Sequence, residues 1–95
     1  MDFLIELGYN YKVINKIKEN NSPSVIRQFI SDRINACKVI SFFQEMGVKN
    51  IDELLIRRLE IFSNDYNRIR SSFNKYNKDL LVALIDEDIS AINFL

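Results

Sequence analysis

The sequence predicts an all-α protein with five to six short helices in one compact domain that spans residues 1–95. The chain has only two glycines and one proline in 95 residues, so few positions interrupt regular structure. Apolar residues make up 47% of it, which excludes disorder and is enough for one modest core. These residues recur at helical spacing, and no alternation with a period of two persists.

The first helices are predicted from local start and stop signals. Residues 3–7 form a short apolar turn that Gly8 closes, because glycine is the usual residue after a helix end. Asn10 can cap a helix that runs to about Asn20, with apolar positions inward and lysines outward.

A second helical region starts at Ser22, whose hydroxyl can cap a helix with Pro23 at its first position. The apolar pattern then continues to a stop at Gly47, and a fresh cap at Ser31-Asp32 can divide it into two helices. Cys37 lies on the apolar stripe between Ile34 and Ile40, so we interpret it as a buried, inert residue.

The second half of the chain predicts three further helices. Asn50 offers a cap, with Glu53 three residues later as in a capping box. A helix that opens at Asp65 ends near Asn77, and its buried face carries Tyr66, Ile69, Phe73 and Tyr76. Asp79 is expected to cap the last helical region.

The composition excludes several chemistries. The chain has no histidine, which removes the commonest general base and zinc ligand. Its one cysteine cannot build a thiolate metal site, and two glycines cannot form a phosphate-binding loop. Asp86, Glu87 and Asp88 lack the spacing of a calcium loop, so we interpret them as a solvated cap or as charges that prevent aggregation. We therefore expect no catalytic residue, no metal, no cofactor and no enzyme activity.

The chain is expected to be soluble and cytoplasmic. Cys37 has no partner for an internal disulfide, which favours a reducing compartment. Residues 1–7 lack the basic start of a signal peptide, and the longest apolar run, residues 80–85, is far shorter than a membrane span. We expect no membrane partner.

Two segments, residues 32–62 and 65–85, look alike at an offset of about thirty positions, and a weaker third copy begins at Leu7. Such a period is typical of stacked helical hairpins, although a simple bundle with coincidental spacing explains it too. Met46-Gly47, Leu54-Leu55 and Ile61-Phe62 resemble one repeat of the mitochondrial transcription termination factor family, with Leu59 where that family has proline. The resemblance covers about two repeats and implies a helical superhelix with a basic concave face that binds nucleic acid.

Residues 57–78 contain six basic side chains against two acidic ones, and phosphate contacts require such groups on one face. Arg68 and Lys75 share a face at helical spacing, whereas the aromatic residues of this segment fall on the buried stripe. A solvated helix face is the alternative interpretation. The candidate nucleic-acid residues are Arg57, Arg58, Arg68, Arg70, Lys75 and Lys78.

The apolar run at residues 80–85 covers the whole circumference of a helix, whereas a surface helix needs only one stripe. This helix is either central to the bundle or partly directed at another subunit or partner, and we expect the second. The leading hypothesis is a noncatalytic module that binds a protein partner or a second copy of itself; the second is a nucleic-acid-binding repeat domain. The expected partner-binding residues are Ile56, Leu81, Leu84, Ile85, Ile89 and Ile92.

Overall fold

Helices make up most of the computed structural model, which describes residues 1–89. The described part contains seven α-helices, one 3-10 helix and no strand. These are α1 (Phe3–Glu6), α2 (Tyr11–Asn20), α3 (Pro23–Ser31), α4 (Arg33–Met46), α5 (Ile51–Arg57), the 3-10 helix (Leu59–Ser63), α6 (Tyr66–Lys75) and α7 (Lys78–Glu87). The all-α class is confirmed, with more helices than the five to six expected.

Short polar side chains cap the helices at the predicted starts. Asn10 accepts a hydrogen bond from the backbone N of Val13 at 3.1 Å, and Ser22 caps α3 with Pro23 at its first position. Asp65 caps α6 in the same way. These caps satisfy backbone N–H groups that have no partner within the helix, which is why local sequence predicts them well.

One predicted start is wrong, and one predicted side-chain cap does not form. The last helix begins at Lys78 because the side chain of Asn77 accepts from the backbone N of Leu80, so Asp79 lies in the first turn and does not cap it. Asn50 precedes α5 but makes no side-chain cap, so no capping box forms there.

Two glycines end helices in the left-handed region. Gly8 has φ +102° after α1, and Gly47 has φ +86° after α4. A side chain at either position would strain the backbone, since L-residues avoid this region. Asp32 separates α3 from α4, as expected for the long helical region, but its side chain accepts from Gln28 Nε2 at 2.6 Å and does not cap α4.

The helices pack in pairs drawn from successive parts of the chain. α2 packs on α5, α3 packs on the 3-10 helix, and α4 packs on α6. These pairs follow the order that stacked repeats would have, but the interpretation as repeats stays a prediction. The radius of gyration is 12.6 Å. One compact domain of this length is expected to have about 12.4 Å.

Four fully buried phenylalanines link two of these pairs in the core. The ring of Phe43 on α4 lies 5.8 Å from Phe62 and 5.8 Å from Phe73, and Phe62 meets Phe29 edge-on at 6.4 Å. Burying one such side chain contributes about 1.5–3 kcal/mol, and favourable ring geometry adds about 0.5–1.5 kcal/mol. These rings therefore join the pair of α3 and the 3-10 helix to the pair of α4 and α6, and isoleucines and leucines of α2 and α5 belong to the same core.

One amide side chain holds the start of α6 against α4. Asn35 donates from Nδ2 to the backbone oxygens of Phe62 at 3.2 Å and Asn64 at 2.7 Å, and its Oδ1 accepts from the backbone N of Tyr66 at 3.0 Å. These bonds give partners to two backbone C=O groups and one backbone N–H group in the turn between the 3-10 helix and α6, where the backbone has few partners of its own.

Candidate interaction surface

Helix α7 has one buried stripe and one exposed stripe, despite its uniformly apolar sequence. Leu81 and Ile85, one turn apart, are 4% and 0% exposed. Leu80 and Leu84 are 60% and 40% exposed, because they lie about 100° further around the helix. The assignment of Leu81 and Ile85 to a partner-facing surface is therefore wrong, since α6 and the core already cover them, whereas Leu84 is exposed as expected.

Tyr76, Leu80 and Leu84 form an exposed apolar surface, which we call the α7 face. Tyr76 is 54% exposed, and together with Asn77 and Leu81 these residues line an open groove of about 240 Å³. Leu80 and Leu84 lie one turn apart on α7, and Tyr76, which precedes the helix, lines the same groove.

Tyr76 was expected on the buried stripe of α6, and that expectation is wrong. α6 ends at Lys75, and Tyr76 adopts an extended backbone with φ −110° and ψ 165°. Its side chain therefore no longer follows the inward face of α6. The signal in the sequence is Asn77, because an N-cap requires the chain to leave the preceding helix before the next one starts.

The other expected partner-binding residues contribute less. Ile56 and Ile89 are half-buried and pack against the core, and the backbone oxygen of Ile56 accepts from Asn21 Nδ2 at 3.0 Å. Ile92 lies outside the described residues. Among the described residues, Leu84 is thus the expected partner-binding residue that is exposed; Leu80 lies in the predicted apolar run but was not among the expected partner-binding residues, and Tyr76 was missed.

Other apolar side chains are exposed away from α7. Ile34 is 72% exposed, so it does not belong to the inward stripe of α4 predicted from the sequence. Tyr11 is also exposed. Ile5 and Ile30 are each 37% exposed as well, and exposed apolar side chains of this kind are ordinary on protein surfaces.

Asp86 fixes the orientation of α7 through a bond network with the start of α5. Its Oδ1 accepts from the backbone N of Lys49 at 2.7 Å and of Asn50 at 3.3 Å. In return Asn50 Nδ2 donates to the backbone oxygen of Asp86 at 2.5 Å. Asp86 therefore caps another helix and is not a purely solvated charge, and this contact leaves Leu80 and Leu84 directed outward.

Charges flank the α7 face with opposite signs at its two ends. Lys75 and Lys78 are exposed near its start, with the acidic Asp79 beside Lys78, so the start carries a net charge of about +1; Glu87 is exposed at its end, three residues after Leu84. Neither lysine nor Glu87 has an ion-pair partner within residues 1–89. Ala83, also exposed, is the small residue beside the two leucines.

The basic residues of segment 57–78 do not share one face. Arg68 and Lys75 are exposed two turns apart on α6, but Arg70 lies about 200° around the helix from Arg68. Arg57 forms a salt bridge with Glu53 at 3.1 Å. The remaining candidates are Arg58, whose guanidinium donates to the backbone oxygen of Arg57, and Lys78 at the start of α7.

Partial burial raises the pKa of two titratable side chains. Burial raises the pKa of the Cys37 thiol, the charge of Glu6 raises it further, and Arg33 opposes this. Burial also raises the pKa of Tyr9, while its hydrogen bond with Gln44 lowers it and Asp52 raises it. Cys37 is thus half-buried and not fully enclosed, and its neutral form is favoured.

Within residues 1–89, no three cysteine or carboxylate side chains come together as a metal site. Across the same range, every helix is too short or too polar to cross a bilayer.

The fold and surface together define a small all-α domain with an exposed apolar helix face. No protein-family model and no solved structure matches the chain. It is 28% identical over 85 residues to Active breakpoint cluster region-related protein of Xenopus tropicalis, an alignment that covers 90% of this chain and 8% of that protein. The chain thus spans less than a tenth of that relative, and the resemblance to the mitochondrial transcription termination factor family stays a prediction from its motifs.

Proposed function

We propose that this chain is a noncatalytic interaction module that uses the α7 face to bind a protein partner or a second copy of itself. The observation that carries the proposal is the exposed surface of Leu80 and Leu84 on a helix whose other side is held in the core, extended by Tyr76 just before that helix. Such a surface fits an amphipathic helix, whose apolar residues recur at the same spacing. A match to a small segment of a much longer protein is compatible with a module of this kind.

The size of the α7 face predicts weak binding. Complete burial of an apolar side chain contributes about 1.5–3 kcal/mol, and roughly half of each of these three is still exposed. Covering them therefore gains about 3 kcal/mol, whereas a millimolar dissociation constant already requires about 4 kcal/mol. A partner must make further contacts around the face to bind tightly.

Selection of displayed helical peptides tests this proposal without a known partner. A library of 16-residue amphipathic helices is selected on the wild-type chain. We expect enriched peptides with apolar residues at three- and four-residue spacing, whose binding is lost with Leu80→Glu/Leu84→Glu. Ile34→Glu is the matched control, because it adds a charge at an exposed isoleucine on α4, and it should leave binding unchanged. Failure to enrich any peptide that depends on Leu80 and Leu84 would refute the proposal.

A nucleic-acid-binding repeat domain is the second candidate function. It is supported by Arg68 and Lys75, which project from one exposed side of α6 with no carboxylate partner among the described residues. The pairwise packing of α2 on α5 and α4 on α6 is compatible with stacked repeats and with the family resemblance. With two such cations, affinity for a single strand should fall with salt at a logarithmic slope of about −1.4.

Fluorescence anisotropy with a labelled 20-nucleotide RNA, titrated at 50 and 200 mM salt, tests this second candidate. Arg68→Glu/Lys75→Glu should abolish binding, and Lys12→Glu/Lys16→Glu on α2 is the control for a general change in charge. Equal loss in both double variants, or no binding at low salt, would remove the second candidate.

A cytoplasmic location belongs to the main proposal, since Cys37 has no partner cysteine in the chain.

A further inference from the structure

We infer that the occupant of the α7 face is a second copy of this chain, with the two α7 helices packed antiparallel about a two-fold axis. This inference rests on the proposed function and names its partner. A two-fold axis makes the same surface face itself, so it needs a surface that is complementary to its own reversed copy. The α7 face meets this condition in its apolar residues and in its charges.

The apolar residues are complementary under reversal. An axis that passes midway between Leu80 and Leu84 places Leu80 of one copy opposite Leu84 of the other, and the reverse. The exposed Ala83 beside them has a short side chain, which allows two helices to approach to about 8 Å. Tyr76 then covers the end of the leucine contact in both copies.

The charges select the antiparallel orientation. The same axis places Glu87 of one copy opposite Asn77 of the other, next to Lys78 at the start of α7 and toward Lys75 at the end of α6. These contacts join opposite charges, with Asp79 the one acidic side chain beside Lys78, and Lys75, Lys78 and Glu87 have no ion-pair partner within residues 1–89 of their own chain. A parallel pair would instead place lysines against lysines and Glu87 against Glu87. Exposed ion pairs contribute little affinity. Like charges in contact, however, destabilise the parallel orientation and so exclude it.

The area limits the strength of this dimer. α7 has ten residues and is about 15 Å long, so an interface confined to its face falls below the roughly 1,200 Å² of stable complexes. We expect a dissociation constant of about 0.1–1 mM. The dimer should therefore form only in concentrated solution, or where copies are held close together.

Sedimentation equilibrium of the full chain from 20 µM to 2 mM tests the inference. The wild-type chain should pass from monomer to dimer across this range, and Leu80→Glu/Leu84→Glu should stay monomeric, while Ile34→Glu behaves as wild type. Glu87→Lys alone and Lys75→Glu/Lys78→Glu alone should each weaken association about tenfold. An equimolar mixture of these two charge variants should recover a heterodimer at least as strong as the wild-type dimer, because every charged contact is then complementary.

Three outcomes would overturn the inference, and they separate it from the proposed function. If the wild-type chain stays monomeric at 2 mM while selected peptides still require Leu80 and Leu84, the partner is a different protein and the proposed function stands. If it is monomeric and its labelled leucine methyls at 80 and 84 are shielded from a soluble paramagnetic probe, the chain itself covers the face and both proposals fail. If it dimerises but mixing the charge variants recovers nothing, the antiparallel arrangement is wrong.

Discussion

Replacing Asp86 by alanine tests how α7 is held against the rest of the molecule. The substitution removes a carboxylate oxygen that accepts from two backbone N–H groups at the start of α5, at 2.7 and 3.3 Å. α5 has only seven residues and no side-chain cap of its own. A lost cap costs about 0.5–2 kcal/mol, and hydrogen bonds to a charged group lie toward the upper end of that range. We therefore expect the free energy of unfolding to fall by about 2 kcal/mol.

Urea and thermal denaturation, followed by far-ultraviolet circular dichroism, measure this loss. A fall of about 2 kcal/mol should lower the urea midpoint by about 1 M with an unchanged m-value. It should lower the Tm by about 8–16 °C. Asp86→Asn keeps an acceptor oxygen and should lose about half as much, and the adjacent exposed Glu87→Ala should change the free energy by less than about 0.5 kcal/mol. A change below about 0.5 kcal/mol in Asp86→Ala would show that the carboxylate does not cap α5.

Three further predictions concern buried or half-buried polar groups. Asn35→Ala removes the three bonds at the start of α6 and should lower the free energy of unfolding by about 2–3 kcal/mol in urea, whereas the exposed Asn74→Ala should change it little. The pKa of Tyr9 is raised in the folded state, so stability should fall as the pH rises above about 10; titrating the urea midpoint against pH should show this fall weakened in Tyr9→Phe. The pKa of Cys37 is raised as well, so its reaction with a disulfide reagent should accelerate at a higher pH in the folded chain than in urea, and equal profiles would contradict its partial burial.

Helix starts were the most predictable part of the fold. Asn10, Ser22 and Asp65 cap the helices that follow them, because an N-cap involves only residues two or three positions apart. The left-handed turns at Gly8 and Gly47 are local for the same reason. The alternation of caps and apolar stripes therefore determined the all-α class before any packing was known.

The candidate surface was predicted only in outline. The sequence indicated that residues 80–85 carry more apolar side chains than one stripe needs, and the structure leaves Leu80 and Leu84 exposed while burying Leu81 and Ile85. Periodicity could not choose between these pairs, because both are spaced four residues apart on a helix that is apolar all round.

Tertiary contacts made that choice. Asp86 lies 37 residues from Lys49 in sequence, yet its bond to the start of α5 sets the rotation of α7 and so determines which leucines meet the core. The same absence of local information explains the missing cap at Asn50, whose side chain bonds to α7 and not to its own helix. The sequence alone determined where most helices begin, since this depends on neighbouring residues, but it misplaced the junction between α6 and α7. The exposed face depended on which distant groups satisfied one another's hydrogen bonds.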